Sequence, residues 1–344
     1  MRIAIVTSTS PFIRGGAENL AAWLGDALRD AGHEVDTVAL PFNESPERLA
    51  AQLAMFRMID LTDQADIAVC LRPPAHLVRH PRKVVWFIHH LRGYFDLWDA
   101  DRGYPNRALT RAERQLLRRA DARALAEARR VLTNSATVAR RLLDYDDVAA
   151  EVVYPPLPAS YPARDGALGD EIVMLGRLVD HKRPLLLIEA LGRTASSVRL
   201  RFVGAGHDPR YAELLRTRAA ELGVADRVTL ENRWVSEPDK LEVLDGALAG
   251  AYLALDEDSY GYATLEYAMA RRPVLTTRDS GGVLEFVRDG VEGLVADPDP
   301  GDLAVAMDRL YTERERSRAM GEAAFARLAE LRISWDRVVE RIVA

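Results

Sequence analysis

Two carboxylates eight positions apart, Asp258 and Glu266, bracket a stretch that reads DSYGYATLE. Gly261 interrupts any helix through this stretch, so we expect Asp258 in a loop after a strand and Glu266 in the first turn of the next helix. Both carboxylates could then accept hydrogen bonds from paired sugar hydroxyls. Loop N–H groups and the positive end of the helix dipole would favour a phosphate there. A surface loop followed by an acidic helix start is the alternative.

Two cations precede that stretch in the chain. Arg177 and Lys182 fall between a predicted strand and a predicted helix. Together they could neutralise a diphosphate, so we expect neither a metal ion nor another cofactor. A second glycine loop, Gly15-Gly16, follows the first predicted strand, where missing side chains let a ligand approach the backbone. It lacks the spacing of a dinucleotide-binding fingerprint.

Strand-like apolar runs alternate with helix-length amphipathic segments along the whole chain, a pattern typical of parallel sheets covered by helices. The pattern stops in a proline- and glycine-rich stretch, residues 155–169, and then restarts. We therefore predict an α/β protein with two Rossmann-like domains. The predicted domains are residues 1–163 and 164–330, with residues 331–344 as a terminal helix. One strand of the second domain is predicted over residues 251–255.

Composition sets limits on location and partners. The chain has 344 residues, 48% of them apolar, and a formal net charge of −6. Bulk nucleic-acid binding is disfavoured, because such binding needs basic surfaces. The start of the sequence is typical of a first strand rather than a signal peptide, so we expect a cytoplasmic protein. Residues 101–141 hold eleven arginines against four acidic residues. This stretch is either a solvated helix face or a peripheral contact with an anionic membrane or phosphorylated acceptor.

Taken together, four motifs resemble those of the family 4 glycosyltransferases, and the resemblance extends from residue 1 to about residue 340. The motifs are Gly15-Gly16-Ala17-Glu18, Gly176-Arg177 with Lys182, the stretch from Asp258 to Glu266, and Ser280-Gly281-Gly282-Val283-Leu284-Glu285. The resemblance implies a GT-B fold, with two Rossmann-like domains whose parallel sheets face a central cleft. It also implies sugar transfer from a nucleotide-diphosphate-sugar donor with retention of configuration and without metal. The implied acceptor is a hydroxyl of a glycan, a lipid-linked molecule or a small molecule.

The resemblance also assigns roles by position. Arg177 and Lys182 would hold the donor diphosphate, Glu266 the ribose hydroxyls, and Asp258 would face the transferred sugar. His89, which ends a predicted strand of the first domain, would donate a hydrogen bond to that sugar. The implied catalytic residues are His89, Arg177, Lys182 and Asp258. The implied donor-binding residues are Gly15, Gly16, Arg177, Lys182, Arg233, Trp234, Asp258, Ser259, Tyr260, Gly261, Tyr262, Ala263, Thr264 and Glu266.

The sequence departs from the family pattern at two positions. Asp258 stands where the family usually has Glu, so the donor sugar stays open, and Tyr267 stands where it usually has Ala. The nucleotide base is expected at residues 231–235, although Trp234 could instead belong to the core. We expect front-face transfer, in which the departing diphosphate accepts the proton of the acceptor hydroxyl, rather than a covalent glycosyl-enzyme.

Three other functions compete with this interpretation. The D-x-D pattern of metal-dependent glycosyltransferases occurs at 144–146, 256–258 and 297–299. Because the pattern recurs, it discriminates poorly. A nucleotide-sugar epimerase on the same fold and a catalytically silent binding protein are the other two.

Overall fold

In a computed structural model, the protein is described over residues 1–10, 16–96, 98, 110–206 and 208–344. Its backbone contacts divide it into two compact units. Unit 1 comprises Met1–Ala159 and Ile333–Ala344, and unit 2 comprises Ser160–Arg332. The chain thus leaves unit 1 once and returns to it at the end.

The described residues form strands and helices in regular alternation. The strands are β1 (Arg2–Thr9), β2 (Glu34–Pro41), β3 (Ile67–Cys70), β4 (Lys83–Phe87), β5 (Arg130–Thr133), β6 (Glu151–Val152), β7 (Glu171–Leu175), β8 (Arg199–Val203), β9 (Val228–Glu231), β10 (Ala247–Ala251), β11 (Val274–Thr277) and β12 (Gly293–Ala296). The helices are α1 (Gly16–Asp30), α2 (Pro46–Met58), α3 (Arg111–Ala126), α4 (Ala136–Asp146), α5 (Pro184–Leu191), α6 (Pro209–Glu221), α7 (Glu237–Asp245), α8 (Tyr262–Met269), α9 (Pro300–Thr312), α10 (Arg314–Glu330) and α11 (Trp335–Val343).

Unit 1 contains a six-stranded parallel sheet in the order β2-β1-β3-β4-β5-β6. Its central strands are apolar and buried on both faces, as strands covered by helices must be. Cys70 lies fully buried among them, and burial raises the pKa of its thiol to about 12. The thiol is therefore a core group rather than a nucleophile.

The last helix, α11, belongs to unit 1. Its apolar face places Val338 and Ile342 in the same buried cluster as Trp86 of β4. The indole Nε1 of Trp335 donates to the carbonyl of Leu157 at 2.8 Å. These contacts attach the end of the chain to the sheet that its beginning builds.

Unit 2 contains a second six-stranded parallel sheet, in the order β12-β11-β10-β7-β8-β9. Counted within the unit, this is the strand order of a Rossmann fold. The predicted architecture of two Rossmann-like units with parallel sheets is confirmed. In such sheets the connections on either side of the β7–β10 pair run in opposite directions, and ligands bind at the carboxyl ends of that pair.

The strand predicted over residues 251–255 is wrong in position, because β10 is Ala247–Ala251. Most residues of β10 are small and none is β-branched. The apolar run that follows it therefore gives the stronger sequence signal for a strand. The small side chains serve packing. A Cβ on Gly250 would lie 2.1 Å from ring atoms of Tyr267, so the absence of a side chain there makes room for the ring.

A membrane-spanning helix would need a long, weakly charged apolar stretch, and none of the helices in the described ranges has one.

Candidate functional site

In unit 2, a ligand is expected at the carboxyl ends of β7 and β10, because the sheet topology reverses between these two strands. Gly176 and Arg177 directly follow β7, and Arg177 is exposed. Gly176 has φ 125°, a conformation that glycine adopts without strain. Gly204 directly follows the neighbouring strand β8, and a Cβ on it would lie 2.2 Å from the Gly176 carbonyl oxygen. The loop that carries Arg177 is therefore packed closely against its neighbour.

The loop after β10 is fixed by the glycine pair that the sequence singled out. The Gly282 N–H donates to the Glu257 carbonyl at 2.8 Å, and the Glu257 N–H donates to Ser280. A Cβ on Gly281 would lie 2.4 Å from the Glu257 carbonyl oxygen, and one on Gly282 would lie 2.8 Å from that of Asp258. These glycines thus allow a second loop to hold the backbone around Asp258.

Helix α8 begins beside this loop, directly after Gly261. Its cap residue, Gly261, has φ 69° and supplies no side chain to bond the first N–H groups. A Cβ at Gly261 would lie 2.3 Å from the Tyr252 hydroxyl, so the position requires glycine on two grounds. First-turn N–H groups without a side-chain cap are suited to bind an anion.

Lys182 lies in a short 3₁₀ turn before α5 and points to the loop after β10. Its Nζ donates to Glu257 Oε2 at 2.5 Å and to the Tyr252 hydroxyl at 2.9 Å. Burial alone lowers the pKa of Lys182, but Tyr252 and Glu257 outweigh burial and hold the pKa above its usual value. The ammonium is therefore a fixed positive charge next to the start of α8.

Glu266 lies in the second turn of α8, so its predicted place in the first turn is wrong. Gly261 is the cap rather than a helical residue, which puts Glu266 fifth in the helix. Its carboxylate is buried, and its Oε1 accepts from Lys240 Nζ at 2.5 Å. Burial raises the pKa of the Glu266 carboxyl, and the Lys240 ammonium opposes that rise. Lys240 therefore orients the carboxylate and favours its charged form.

Tyr267 continues the hydrogen-bond ladder where β7 and β10 separate. Its hydroxyl accepts from the Leu175 N–H at 2.8 Å and donates to the Ala251 carbonyl at 3.2 Å. Leu175 is the residue before Gly176. The buried ring thus bridges the two strands at the base of the loop that carries Arg177.

Other predicted donor-binding residues divide into buried and exposed ones. The Tyr260 side chain is buried, and the buried Thr264 hydroxyl donates to the Tyr260 carbonyl at 2.6 Å, so only their backbones are available to a ligand. Ser259, Tyr262 and Ala263 are partly exposed.

Beyond β9, Arg233 pairs with Glu231 at 2.7 Å, and Trp234 is 78% exposed. The alternative that Trp234 belongs to the core is therefore wrong.

In unit 1, the predicted residues lie at the carboxyl edge of the sheet. Gly16 begins α1, while Gly15 lies outside the described residues. His89 follows β4, and its Nδ1 lies 2.7 Å from the His90 carbonyl oxygen. A carbonyl can only accept, so Nδ1 carries the proton, and in a neutral ring Nε2 is an acceptor. The expected role of His89 as a donor is therefore revised: the neutral ring accepts a hydrogen bond.

We expect His89 to remain neutral below the pH at which an ordinary histidine protonates. Burial is the main cause that lowers the pKa of this imidazole from 6.5, and Arg72 adds to it. A group with a lowered pKa holds its proton only at lower pH, so the charged form should appear only below about pH 6.5. NMR titration of the ring should therefore give a midpoint below that pH, with the neutral proton on Nδ1. His89→Gln would assign the signal, and a midpoint above 6.5 would contradict the prediction.

Sequence reasoning missed the partners of the site residues. Tyr252 and Glu257 hold Lys182, Lys240 holds Glu266, and Tyr267 was noted only as a departure from the family. Glu257 could have been identified from the sequence, because it is adjacent to Asp258. No pattern links Lys240 to Glu266, because the two lie on different helices.

In the part of the chain that the structure covers, no group of three His, Cys, Asp or Glu side chains is arranged to hold a metal ion. Metal-independent action remains a prediction.

The two six-stranded parallel sheets identify the class of fold. The chain has the GT-B fold of glycosyltransferases. Sucrose-phosphate synthase of Thermosynechococcus elongatus matches it with a TM-score of 0.74 at 16% identity, over 99% of this chain and 97% of that one. HepE of Anabaena in complex with UDP matches with a TM-score of 0.73 at 17% identity, over 100% and 98%.

Sequence comparison points to the same class. Residues 169–327 match the family model described as glycosyl transferases group 1. The D-inositol 3-phosphate glycosyltransferase of Geodermatophilus obscurus is 32% identical over 250 residues, which are 64% of this chain and 52% of that protein. A GDP-mannose-dependent alpha-(1-6)-phosphatidylinositol monomannoside mannosyltransferase of Mycolicibacterium smegmatis is 33% identical, over 45% of this chain and 43% of that one. The chain thus spans about half the length of the curated relatives it matches.

Proposed function

We propose that this protein transfers a sugar from a nucleoside-diphosphate-sugar donor to a hydroxyl acceptor, with retention of configuration and without a metal ion. The observation that carries the proposal is the edge of unit 2 where β7 and β10 separate. There the fixed ammonium of Lys182, the N-terminus of α8 after Gly261 and the buried carboxylate of Glu266 in the second turn of that helix belong to one edge of the sheet. Each of these groups suits one part of such a donor.

The diphosphate is assigned to the start of α8 and to the two cations. Backbone N–H groups after Gly261 offer donors, and the helix dipole adds positive potential. Lys182 supplies a fixed charge, while the exposed Arg177 is free to fold over a ligand. Stabilising the departing diphosphate in this way is the largest contribution that the site could make to catalysis.

The ribose is assigned to Glu266. A buried carboxylate can accept hydrogen bonds from two neighbouring hydroxyls, provided that it stays ionised. Lys240 supports that state from the opposite side, at 2.5 Å from Oε1. The nucleotide base is assigned to the segment after β9, where Trp234 presents an exposed ring for stacking.

The transferred sugar is assigned to Asp258 in unit 2. Asp258 is one methylene shorter than the glutamate usual in the resembled family, so a hydroxyl must approach its backbone about 1.5 Å more closely. Because of this difference, the identity of the donor sugar has to be determined by experiment. His89 would accept a hydroxyl hydrogen bond through Nε2.

For the chemical step we propose front-face transfer. As the bond from the sugar to the diphosphate lengthens, the diphosphate oxygen gains negative charge and accepts the proton of the attacking hydroxyl. Asp258 and Glu266 are both assigned to donor hydroxyls in this scheme, so no covalent intermediate is formed on them. The relatives named for inositol 3-phosphate and a phosphatidylinositol mannoside suggest hydroxyl acceptors that carry phosphate.

A donor panel tests the proposal. UDP- and GDP-sugars are incubated with inositol 3-phosphate or phosphatidylinositol mannoside, and release of nucleoside diphosphate is measured. Glu266→Gln should lower kcat/KM about 10- to 100-fold, because charged hydrogen bonds to the ribose are lost. Glu221→Gln, the same change on an exposed side chain of α6, should have no effect. Donor isomerisation without release would indicate an epimerase, and tight donor binding without turnover a binding protein.

A further inference from the structure

In the described part of unit 1, a cavity of about 1100 Å³ lies between α3 and the end of α4. One wall is cationic and belongs to α3, with Arg111, Arg114, Arg118 and Arg119. The other wall is anionic and belongs to the end of α4, with Asp144 and Asp147 among its residues. The cavity has no part in the proposed donor site, which belongs to unit 2.

The two walls face each other without pairing. Among the described residues, no carboxylate lies within ion-pair distance of any of the four arginines. Opposite charges on neighbouring helices usually close into pairs when side chains can reach. Here Arg118 reaches only the backbone carbonyl of Tyr145 on the opposite wall. A ligand that satisfies the charges of both walls would therefore gain interactions that the empty protein lacks.

Hydrogen bonds hold both walls in place. Arg114 Nε donates to the Tyr94 carbonyl at 2.9 Å, and Arg118 Nη2 donates to that of Tyr145 at 2.8 Å. On the other side, Asp146 Oδ2 lies 2.8 Å from Nε2 of the buried His90. Guanidinium groups fixed by backbone carbonyls keep their charge and their remaining N–H donors, so little ordering is needed on binding.

The spacing of the arginines indicates the size of the anion. Arg111 and Arg119 are eight residues apart on α3, which is about 12 Å along the helix axis. A ligand with two phosphate groups on a small scaffold could contact both ends of this row of arginines. The carboxylates opposite are acceptors only, so they require hydroxyl or other N–H or O–H donors on that scaffold.

We propose that this cavity binds a phosphorylated sugar or polyol, with its phosphates on the arginine wall of α3 and its hydroxyls on the aspartate wall of α4. A membrane surface fits less well, because the cavity is concave and its second wall repels anionic lipids. The site stands independently of the proposed transfer reaction.

Calorimetric titration with fructose 1,6-bisphosphate at low ionic strength tests the site. The double variant Arg111→Ala/Arg119→Ala removes two exposed side chains and should lower the affinity at least tenfold. The matched control Arg48→Ala/Arg140→Ala removes two exposed arginines of unit 1 that do not line the cavity, and should bind as the unaltered protein does. Unchanged binding in the cavity variant would overturn the proposal.

Two further arms separate this site from others. Lys182→Ala should still bind the bisphosphate but should bind UDP more weakly. The Arg111→Ala/Arg119→Ala variant should bind UDP as before and the bisphosphate more weakly. If Lys182→Ala loses affinity for the bisphosphate, the probe binds at the donor site instead. Asp144→Asn should weaken the bisphosphate about threefold, because its hydroxyls lose a carboxylate acceptor, and should not weaken inorganic pyrophosphate, which has no hydroxyl-bearing scaffold and is less repelled. Equal effects on both probes would refute the sugar or polyol assignment. Binding only to phosphatidylglycerol-containing vesicles would replace the proposed ligand with a membrane surface.

Discussion

Lys182→Ala is expected to lower kcat for donor turnover by about 10²- to 10³-fold, with a smaller change in KM. The ammonium is fixed beside the start of α8, and charge on the leaving diphosphate is largest in the transition state. Initial rates at saturating and limiting donor would separate the two parameters. Arg193→Ala, which removes an exposed cation elsewhere in unit 2, should leave both unchanged.

A second variant separates this catalytic role from a purely structural one. Lys182 also neutralises Glu257, so its removal leaves a carboxylate without its partner. Adding Glu257→Gln removes that carboxylate's charge and should restore the thermal midpoint lost in Lys182→Ala. The rate should stay low in the double variant. Recovery of both stability and rate would mean that Lys182 only balances Glu257.

Gly250→Ala is expected to destabilise unit 2 by about 3 kcal/mol, a large effect for one methyl group. The added Cβ would lie 2.1 Å from the ring of Tyr267, and neither the central strand nor the buried helix can move far. Urea denaturation followed by fluorescence would measure the loss. Gly246→Ala is the matched control, because the nearest atom to its Cβ would be 4.0 Å away.

The origin of that loss can be checked by a double-mutant cycle with Tyr267→Ala. Removing the ring costs about 3 to 5 kcal/mol by itself, because it leaves a cavity. It also removes the clash, so the double variant should lose about 1 to 3 kcal/mol less than the two single losses added together. If the two single losses of stability add strictly, Gly250→Ala destabilises unit 2 for a reason other than contact with the Tyr267 ring.

The sequence predicted the architecture well because parallel α/β sheets repeat one strong pattern. Buried strands such as β3 and β4 are continuous apolar runs between helices, and few other structures produce that alternation. The strand that was misplaced, β10, lacks this signal. Its small residues are explained by Tyr267, which lies on another element seventeen residues after Gly250, and periodicity cannot reveal such a partner.

The candidate site was predictable where chemistry follows chain order and not where it depends on packing. Gly261, Gly281 and Gly282 each occupy positions that close approach or positive φ reserves for glycine, so their motif carries physical information. The second-turn position of Glu266 depends on where the helix cap falls, and sequence locates helix ends poorly. The proton on His89 Nδ1 depends on one carbonyl that only coordinates reveal.

Because unit 1 is completed by α11, its two parts leave the ribosome at very different times. Residues 160–332 are synthesised in between, which takes roughly 9 to 35 s at about 5–20 residues per second. During that interval the nascent first sheet lacks the cover of Val338 and Ile342, and at its end the sequence of unit 2 is complete while that of unit 1 is not. Unit 2 can therefore fold first, and the surface left open on unit 1 is where a chaperone would bind the growing chain.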